Sequence, residues 1–85
     1  MRIRVTQKDI DRGTRNSETY CPFAHAIRRR VTRGAVVRVR QDCIDVGEAE
    51  IDVPPRMAYA MGAFDAAGVM DPGTFEVDIP ARVRR

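Results

Sequence analysis

The densest group of side chains that could carry a function lies between residues 25 and 33. Arg28, Arg29 and Arg30 are consecutive, Arg33 follows three positions later, and His25 precedes them all. Guanidinium groups this close together repel one another, and an anion or an acidic surface opposite them relieves the repulsion. The pattern therefore favours a binding site for a phosphate or carboxylate group.

An aromatic side chain precedes this cluster, because Tyr20 lies close enough to stack on a nucleobase if it is exposed. The candidate ligand-binding residues are thus Arg28, Arg29, Arg33, His25 and Tyr20. The alternative is that acidic side chains of the same chain neutralise the arginines.

Charge is segregated along the chain in a way that leaves both interpretations open. Residues 1–41 contain eleven basic and three acidic side chains, whereas residues 42–81 contain one basic and nine acidic side chains. Segregation of this kind bears on partners and on the surface field rather than on the fold.

Groups suited to catalysis are scarce. His25 is the only histidine, and Cys21 lies four residues before it, a spacing that places two side chains on one face of a helix. A thiol near a helix start and near arginines could ionise, which would allow a thiol-dependent enzyme at Cys21. A small buried cysteine is the alternative, and we predict no catalytic residue.

The sequence also predicts neither a metal nor a cofactor. Two cysteines and one histidine are too few for a closed zinc site, and no glycine-rich phosphate-binding loop is present. We expect Cys21 and Cys43 to remain unbridged, as is usual in a reducing cytoplasm.

Period-two alternation of apolar and polar side chains predicts the strands that position these groups. It occurs at residues 2–5, 37–40, 43–46, 50–53 and 74–79. On the polar face of the resulting sheet, four arginines (Arg2, Arg4, Arg38, Arg40) would lie near five acidic side chains. We expect cross-strand ion pairs there.

Three helices are predicted from their start and stop signals. Thr6 with Asp9 three residues later forms a capping-box pattern, and Gly13 ends that helix. Pro22 suits the first turn of a second helix, which would carry the arginine cluster and end at Gly34. A third helix is expected at about residues 55–67, with Gly68 as its stop.

The element order is β-α-α-β-β-β-α-β, which predicts an α+β two-layer sandwich with helices on one face of a small antiparallel or mixed sheet. Residues 1–80 would form a single domain. Residues 81–85 would form a frayed basic tail.

Two segments carry a resemblance to known proteins: Val5-Thr6-Gln7-Lys8-Asp9-Ile10-Asp11-Arg12-Gly13 and Cys21-Pro22-Phe23-Ala24-His25-Ala26-Ile27-Arg28-Arg29. They resemble the N-terminal half of a group of small, mostly uncharacterised proteins from phages of actinobacteria and other GC-rich hosts. The proline-led helix that ends near Phe64-Asp65, followed by a strand with Phe75, is similar too. The resemblance implies a phage or prophage source and an accessory role, and no catalytic residue carries over from it.

Together these features predict a non-enzymatic phage accessory protein that acts by binding in the host cytoplasm, in host takeover or counter-defence. It would sequester an anionic ligand such as a nucleotide signal, or block an acidic host protein. The alternative to this binding role is nucleic-acid binding through the arginine-rich helix. A homo-oligomer stays open, but a membrane partner is not expected, since no apolar run approaches about 20 residues.

Overall fold

The computed structural model of the chain describes every residue from Met1 to Arg85. Its elements confirm the α+β class and the predicted order of strands and helices. They are β1 (Arg2–Val5), α1 (Gln7–Arg12), α2 (Pro22–Arg28), β2 (Val37–Val39), β3 (Cys43–Val46), β4 (Ala49–Asp52), α3 (Pro55–Ala67) and β5 (Gly73–Glu76), followed by a 3₁₀ turn (Ala81–Val83).

The strands form two antiparallel sheets rather than one continuous sheet. β1 pairs with β5, and β2, β3 and β4 pair consecutively. Gly47, at a φ of 59°, begins the two-residue turn between β3 and β4, where the left-handed backbone favours glycine. Because no ladder joins β4 to β5, each of these strands keeps an unpaired edge.

The first helix begins and ends as predicted. The Thr6 hydroxyl accepts a hydrogen bond from the Asp9 N–H, and the Asp9 carboxylate accepts one from the Thr6 N–H. The Gly13 N–H then donates to the Ile10 carbonyl and ends the helix. This reciprocal cap orients the Asp9 side chain, which the site described below depends on.

The second helix starts at Pro22 as predicted but ends at Arg28, so the prediction that it extends to Gly34 is wrong. Arg29 and Arg30 lie in a turn, and Val31 forms a β-bridge with Arg84. Val31 is fully buried, but it pairs with the C-terminal segment instead of lying on a face of the helix. Its helical spacing from Ile27 therefore suggested a longer helix than the chain forms.

The third helix matches its predicted bounds, because Gly68 adopts a left-handed φ of 75° immediately after Ala67. Met57, Met61 and Phe64 bury the inner side of this helix. The opposite side consists mainly of small residues, apart from the exposed Arg56 and Tyr59.

The core is a single cluster of 19 buried residues drawn from both sheets and all three helices. At its centre the rings of Phe23 and Phe75 meet edge to face, with centroids 5.2 Å apart. The apolar positions of the predicted strands are buried, except that Ile51 and Val53 are half-buried. β5 ends at Glu76, yet Val77 and Ile79 continue the buried alternation beyond it.

The C-terminal segment is docked against the domain, and the expectation of a frayed tail does not fit this arrangement. The Thr32 N–H donates to the Val83 carbonyl at 2.8 Å, and the Arg85 N–H donates to the Arg30 carbonyl at 2.9 Å. The Arg84 Nε donates to the Ile79 carbonyl at 2.8 Å. These bonds place the last residues beside the end of α2.

Candidate anion-binding surface

Arg29 is bound inside the chain rather than left for a ligand. Its guanidinium forms an ion pair with Asp9, in which Nη2 lies 2.8 Å from Oδ2, and Nη2 also donates to the Arg4 carbonyl at 3.0 Å. The Asp9 side chain is 5% exposed and the Arg29 side chain 48% exposed. The acid that reaches the cluster therefore comes from α1, not from the strands.

The protonation of Asp9 reflects this pairing. Burial on its own would raise the pKa of the Asp9 carboxyl, but hydrogen bonds from Arg29 and Thr6 and the charge of Arg29 together hold the pKa below its usual value. The folded chain therefore favours the ionised form of Asp9. Arg29 acts mainly as a structural partner of that carboxylate.

Three of the five predicted site residues come together on the other side of α2. The Arg28 guanidinium lies 5.8 Å from the centre of the Tyr20 ring, and the Tyr20 and His25 ring centres are 6.4 Å apart. Arg28 also donates to the Thr19 carbonyl. The Nε2 atom of His25 is buried and has no hydrogen-bond partner. Tyr20 is 60% exposed, so its ring is held in place by Arg28 yet reaches solvent.

Arg33 is separated from the other predicted site residues. It is exposed in the turn ahead of Gly34, outside α2, and none of the ion pairs involves it. The predicted helical stripe of Arg28, Arg29 and Arg33 is therefore not formed. Arg28 and Arg29 contact different neighbours, and Arg33 lies in a turn.

A different arginine surface is assembled where β1, the end of α2 and the C-terminal segment meet. The Arg30 Nη1 donates to the Arg2 carbonyl at 3.2 Å, just as Arg29 donates to the Arg4 carbonyl. The Arg85 N–H donates to the Arg30 carbonyl, and the bridge at Val31 brings Arg84 alongside. We call this surface the basic edge; it consists of Arg2, Arg4, Arg29, Arg30, Arg84 and Arg85.

Sequence reasoning missed this surface because its members are far apart in the chain. Arg2 and Arg85 meet Arg30 only through main-chain and guanidinium hydrogen bonds formed in the folded state. The one local signal is the C-terminal run of arginines, and nothing in its spacing indicates where it docks.

Cys21 lies at the start of α2 and is not arranged as a nucleophile. It is buried, its Sγ accepts a hydrogen bond from the Ala24 N–H at 3.4 Å, and both cysteines are free. Burial raises the pKa of the Cys21 thiol. The helix start therefore does not favour the thiolate here, because burial outweighs the hydrogen bonds from the main chain.

A cavity of about 340 Å³ lies beside Cys21 and is lined on the loop side by residues 16–18. Its other lining residues include the polar Arg40 and Asp65 and the apolar Phe23 and Phe64. Arg40 is already paired, with Glu18 at 3.2 Å and with Asp45 at 2.9 Å. No arginine of the basic edge lines this cavity.

Only one of the expected cross-strand ion pairs is present on the outer sheet face, between Arg40 and Asp45. Arg2 lies opposite Glu76 in the β1–β5 ladder, but Glu76 is instead 3.7 Å from the N-terminal amine. Cys43, Asp45 and Glu50 hold their ligand-type atoms within 4.8 Å of one another. Such exposed acidic groups are common without an ion, so they do not define a metal site.

Searches against protein-family models, curated proteins and solved structures found no match to the chain. None of its helices combines the length and the apolar composition that crossing a bilayer requires.

Proposed function

We propose that this chain is a non-enzymatic accessory protein of a phage or prophage that acts in the host cytoplasm by binding an acidic host protein through the basic edge. The observation that carries the proposal is the docking of the C-terminal segment beside Arg30, which gathers arginines from β1, from the turn after α2 and from the C-terminal segment. All six arginines of the basic edge are exposed, and only Arg29 has an ion-pair partner in the chain. Guanidinium groups that no acid of the chain neutralises suit the carboxylates of a partner.

The shape of the surface favours a macromolecule over a small ligand. Small-molecule sites are concave and bury most of their ligand, whereas the arginines of the basic edge lie on a strand edge, a turn and a chain end. A broad partner could contact several of them at once. A nucleotide signal would meet few convergent groups.

The charges around the basic edge favour a protein over a nucleic acid. Glu76 lies opposite Arg2, and Asp78 follows it two residues later, both exposed. A phosphate backbone would be repelled by these carboxylates, while a protein surface of mixed charge can place a basic side chain against them. Nucleic-acid binding is the alternative that the experiment must separate.

The test compares two double variants with the same change in net charge. Arg30→Glu with Arg85→Glu reverses the basic edge, and Arg12→Glu with Arg38→Glu reverses two exposed arginines elsewhere. We expect a tagged wild-type protein and the control variant to retain the same host protein from a lysate. The basic-edge variant should lose it while its melting temperature stays close to that of the control.

A second arm measures binding to a labelled DNA duplex at increasing salt. If DNA binds tightly, weakens steeply with salt and is lost only in the basic-edge variant, the partner is nucleic acid and the proposal of a protein partner fails. The proposal also fails if both double variants retain the same host proteins as the wild type.

A further inference from the structure

The break between the two sheets leaves an open cleft whose strand edges are unpaired. A cavity of about 640 Å³ lies between residues 50–55 on one side and residues 76–78 on the other, with Met1 at its end. It therefore lies between β4 and the end of β5, where a continuous sheet would have its next ladder.

The main chain on the β4 side of the cleft points into it. The two-residue turn makes Val46 and Ala49 the closing hydrogen-bonded pair of the β3–β4 hairpin. Main-chain groups alternate in direction along an antiparallel strand. The N–H and C=O groups of Glu50 and Asp52 consequently point away from β3, and none of the turn and loop hydrogen bonds involves them.

The main chain on the other side presents one such position, at Glu76. Val77 exchanges hydrogen bonds with Met1: its N–H donates to the Met1 carbonyl at 2.9 Å, and the N-terminal amine donates to the Val77 carbonyl at 2.6 Å. Val77 thus continues the β1–β5 ladder, and Glu76 directs its main-chain groups toward the cleft, where it has no partner among the turn and loop hydrogen bonds. Beyond Val77 the chain turns at Asp78, because the Ile79 N–H donates to the Val77 carbonyl at 2.9 Å.

The side chains that flank the cleft are strongly acidic on one face and apolar on the other. Glu50, Asp52, Glu76 and Asp78 are exposed, whereas Val77 is buried and Ile51 is half-buried. The positive group at the cleft is the N-terminal amine, 3.7 Å from Glu76, and no arginine or lysine lines it. Four carboxylates against one amine leave a marked negative charge.

We propose that this acidic cleft binds an extended peptide segment of another protein, in which basic residues alternate with small apolar residues. The segment would add as a strand to the edge of β4 or β5, and its main chain would bond to the unpaired groups there. Its basic side chains would meet the four carboxylates, and its apolar side chains would pack toward Ile51 and Val77. Charge complementarity and the two-residue period of the cleft together define this partner.

The test uses a synthetic capped peptide of about seven residues that alternates arginine and valine, long enough to span the cleft. A second peptide replaces arginine with glutamate, and a third has the same composition with its arginines contiguous. Binding is measured by fluorescence anisotropy at physiological salt. We expect the alternating basic peptide to bind at least tenfold more tightly than either control.

Two aspartate double variants locate the site on the protein. Asp52→Asn with Asp78→Asn neutralises two carboxylates at the cleft, and Asp42→Asn with Asp71→Asn makes the same change at exposed positions outside it. The cleft variant should bind the alternating peptide at least tenfold more weakly, and the control variant less than twofold more weakly.

Amide hydrogen exchange then separates strand addition from simple charge attraction. In the complex, the amides of Glu50 and Asp52 on the β4 edge, or the amide of Glu76 on the β5 edge, should become protected. Equal binding of the contiguous peptide, or binding without protection of these amides, would overturn the proposal. Protection already present without peptide, in a protein that sediments as a dimer, would overturn it in favour of a second copy as the occupant.

Discussion

The β1–β5 sheet has two outer edges that meet their surroundings in opposite ways. On the β1 edge, the outward carbonyls of Arg2 and Arg4 accept hydrogen bonds from the Arg30 and Arg29 guanidiniums. On the opposite edge, Arg56 donates to the Thr74 carbonyl, but the outward main-chain groups of Glu76 face the acidic cleft and have no partner in the chain. The first edge is covered by cations, and the second is open where acidic side chains line it.

This difference arises from which charged side chains lie along each edge. Exposed strand edges can pair with other chains, and charged side chains commonly protect them. The guanidinium groups on the β1 edge supply donors that satisfy carbonyl oxygens, and Asp9 holds Arg29 in place. Carboxylates can satisfy no carbonyl, so the acidic side chains around the cleft leave that edge able to accept a strand.

The largest effect on this comparison should come from removing Arg29. Arg29→Ala leaves the buried Asp9 carboxylate without its cation, and we expect the free energy of unfolding to fall by about 2–3 kcal/mol. The cost is lower than for a fully buried pair because half of the Arg29 side chain is exposed. Arg30→Ala removes one exposed hydrogen bond and should cost about 0.5 kcal/mol or less. Denaturant unfolding measures both.

A double variant checks the origin of that loss. Adding Asp9→Asn to Arg29→Ala removes the uncompensated charge and should restore part of the stability. If Arg29→Ala and Arg30→Ala cost the same, the Asp9–Arg29 pair does not anchor the covered edge.

The next effect concerns the docked C-terminal segment. Deleting residues 81–85 removes its main-chain bonds to Arg30 and Thr32 and uncovers Val31, so we expect a loss of about 2 kcal/mol. Arg82→Ala, at an exposed residue of the same segment, should leave the melting temperature unchanged. A truncated chain as stable as the wild type would mean that the segment is frayed and that the basic edge lacks its C-terminal arginines.

Acid should weaken the covered edge. Because the pKa of Asp9 is lowered in the folded chain, its stabilisation is complete above the unfolded value of 3.8 and disappears as the pH falls through the folded value. The melting temperature of the wild type should therefore fall more steeply with decreasing pH than that of Asp9→Asn. Parallel curves for the two proteins would show that Asp9 titrates alike in the folded and unfolded chains.

The smallest effect should be found at the cleft. Neutralising Asp52 and Asp78 relieves repulsion among exposed carboxylates, and we expect the free energy of unfolding to rise by about 0.5 kcal/mol or less. The gain should shrink as salt is added, because exposed charges are screened. A clear loss of stability instead would show that these aspartates have structural partners in solution.

Local patterns in the sequence predicted most of the elements. The capping box at Thr6 and Asp9, Pro22 at the start of α2, and Gly68 at the end of α3 were all correctly located, because each signal acts within one or two turns of chain. The period-two alternation identified the strands, but it did not reveal that β4 and β5 remain unpaired.

The structure departs further from the predicted site than from the predicted fold. The spacing of Arg28, Arg29 and Arg33 assumed one continuous helix, whereas the bridge between Val31 and Arg84 ends the helical region early. Arg29 was expected to be available to a ligand, but Asp9 from α1 binds it. Both outcomes depend on contacts between residues at least 20 positions apart, which no local spacing can indicate.

By itself the sequence determined the α+β order, the caps of the helices and the excess of basic residues in one half of the chain, since these depend on neighbouring residues or on composition. The tertiary structure alone decided which arginines cover a strand edge, where the C-terminal residues dock and where the two sheets separate. The reason is that a strand edge or a guanidinium takes its partner from whichever segment packs beside it, and that choice is made by the whole core.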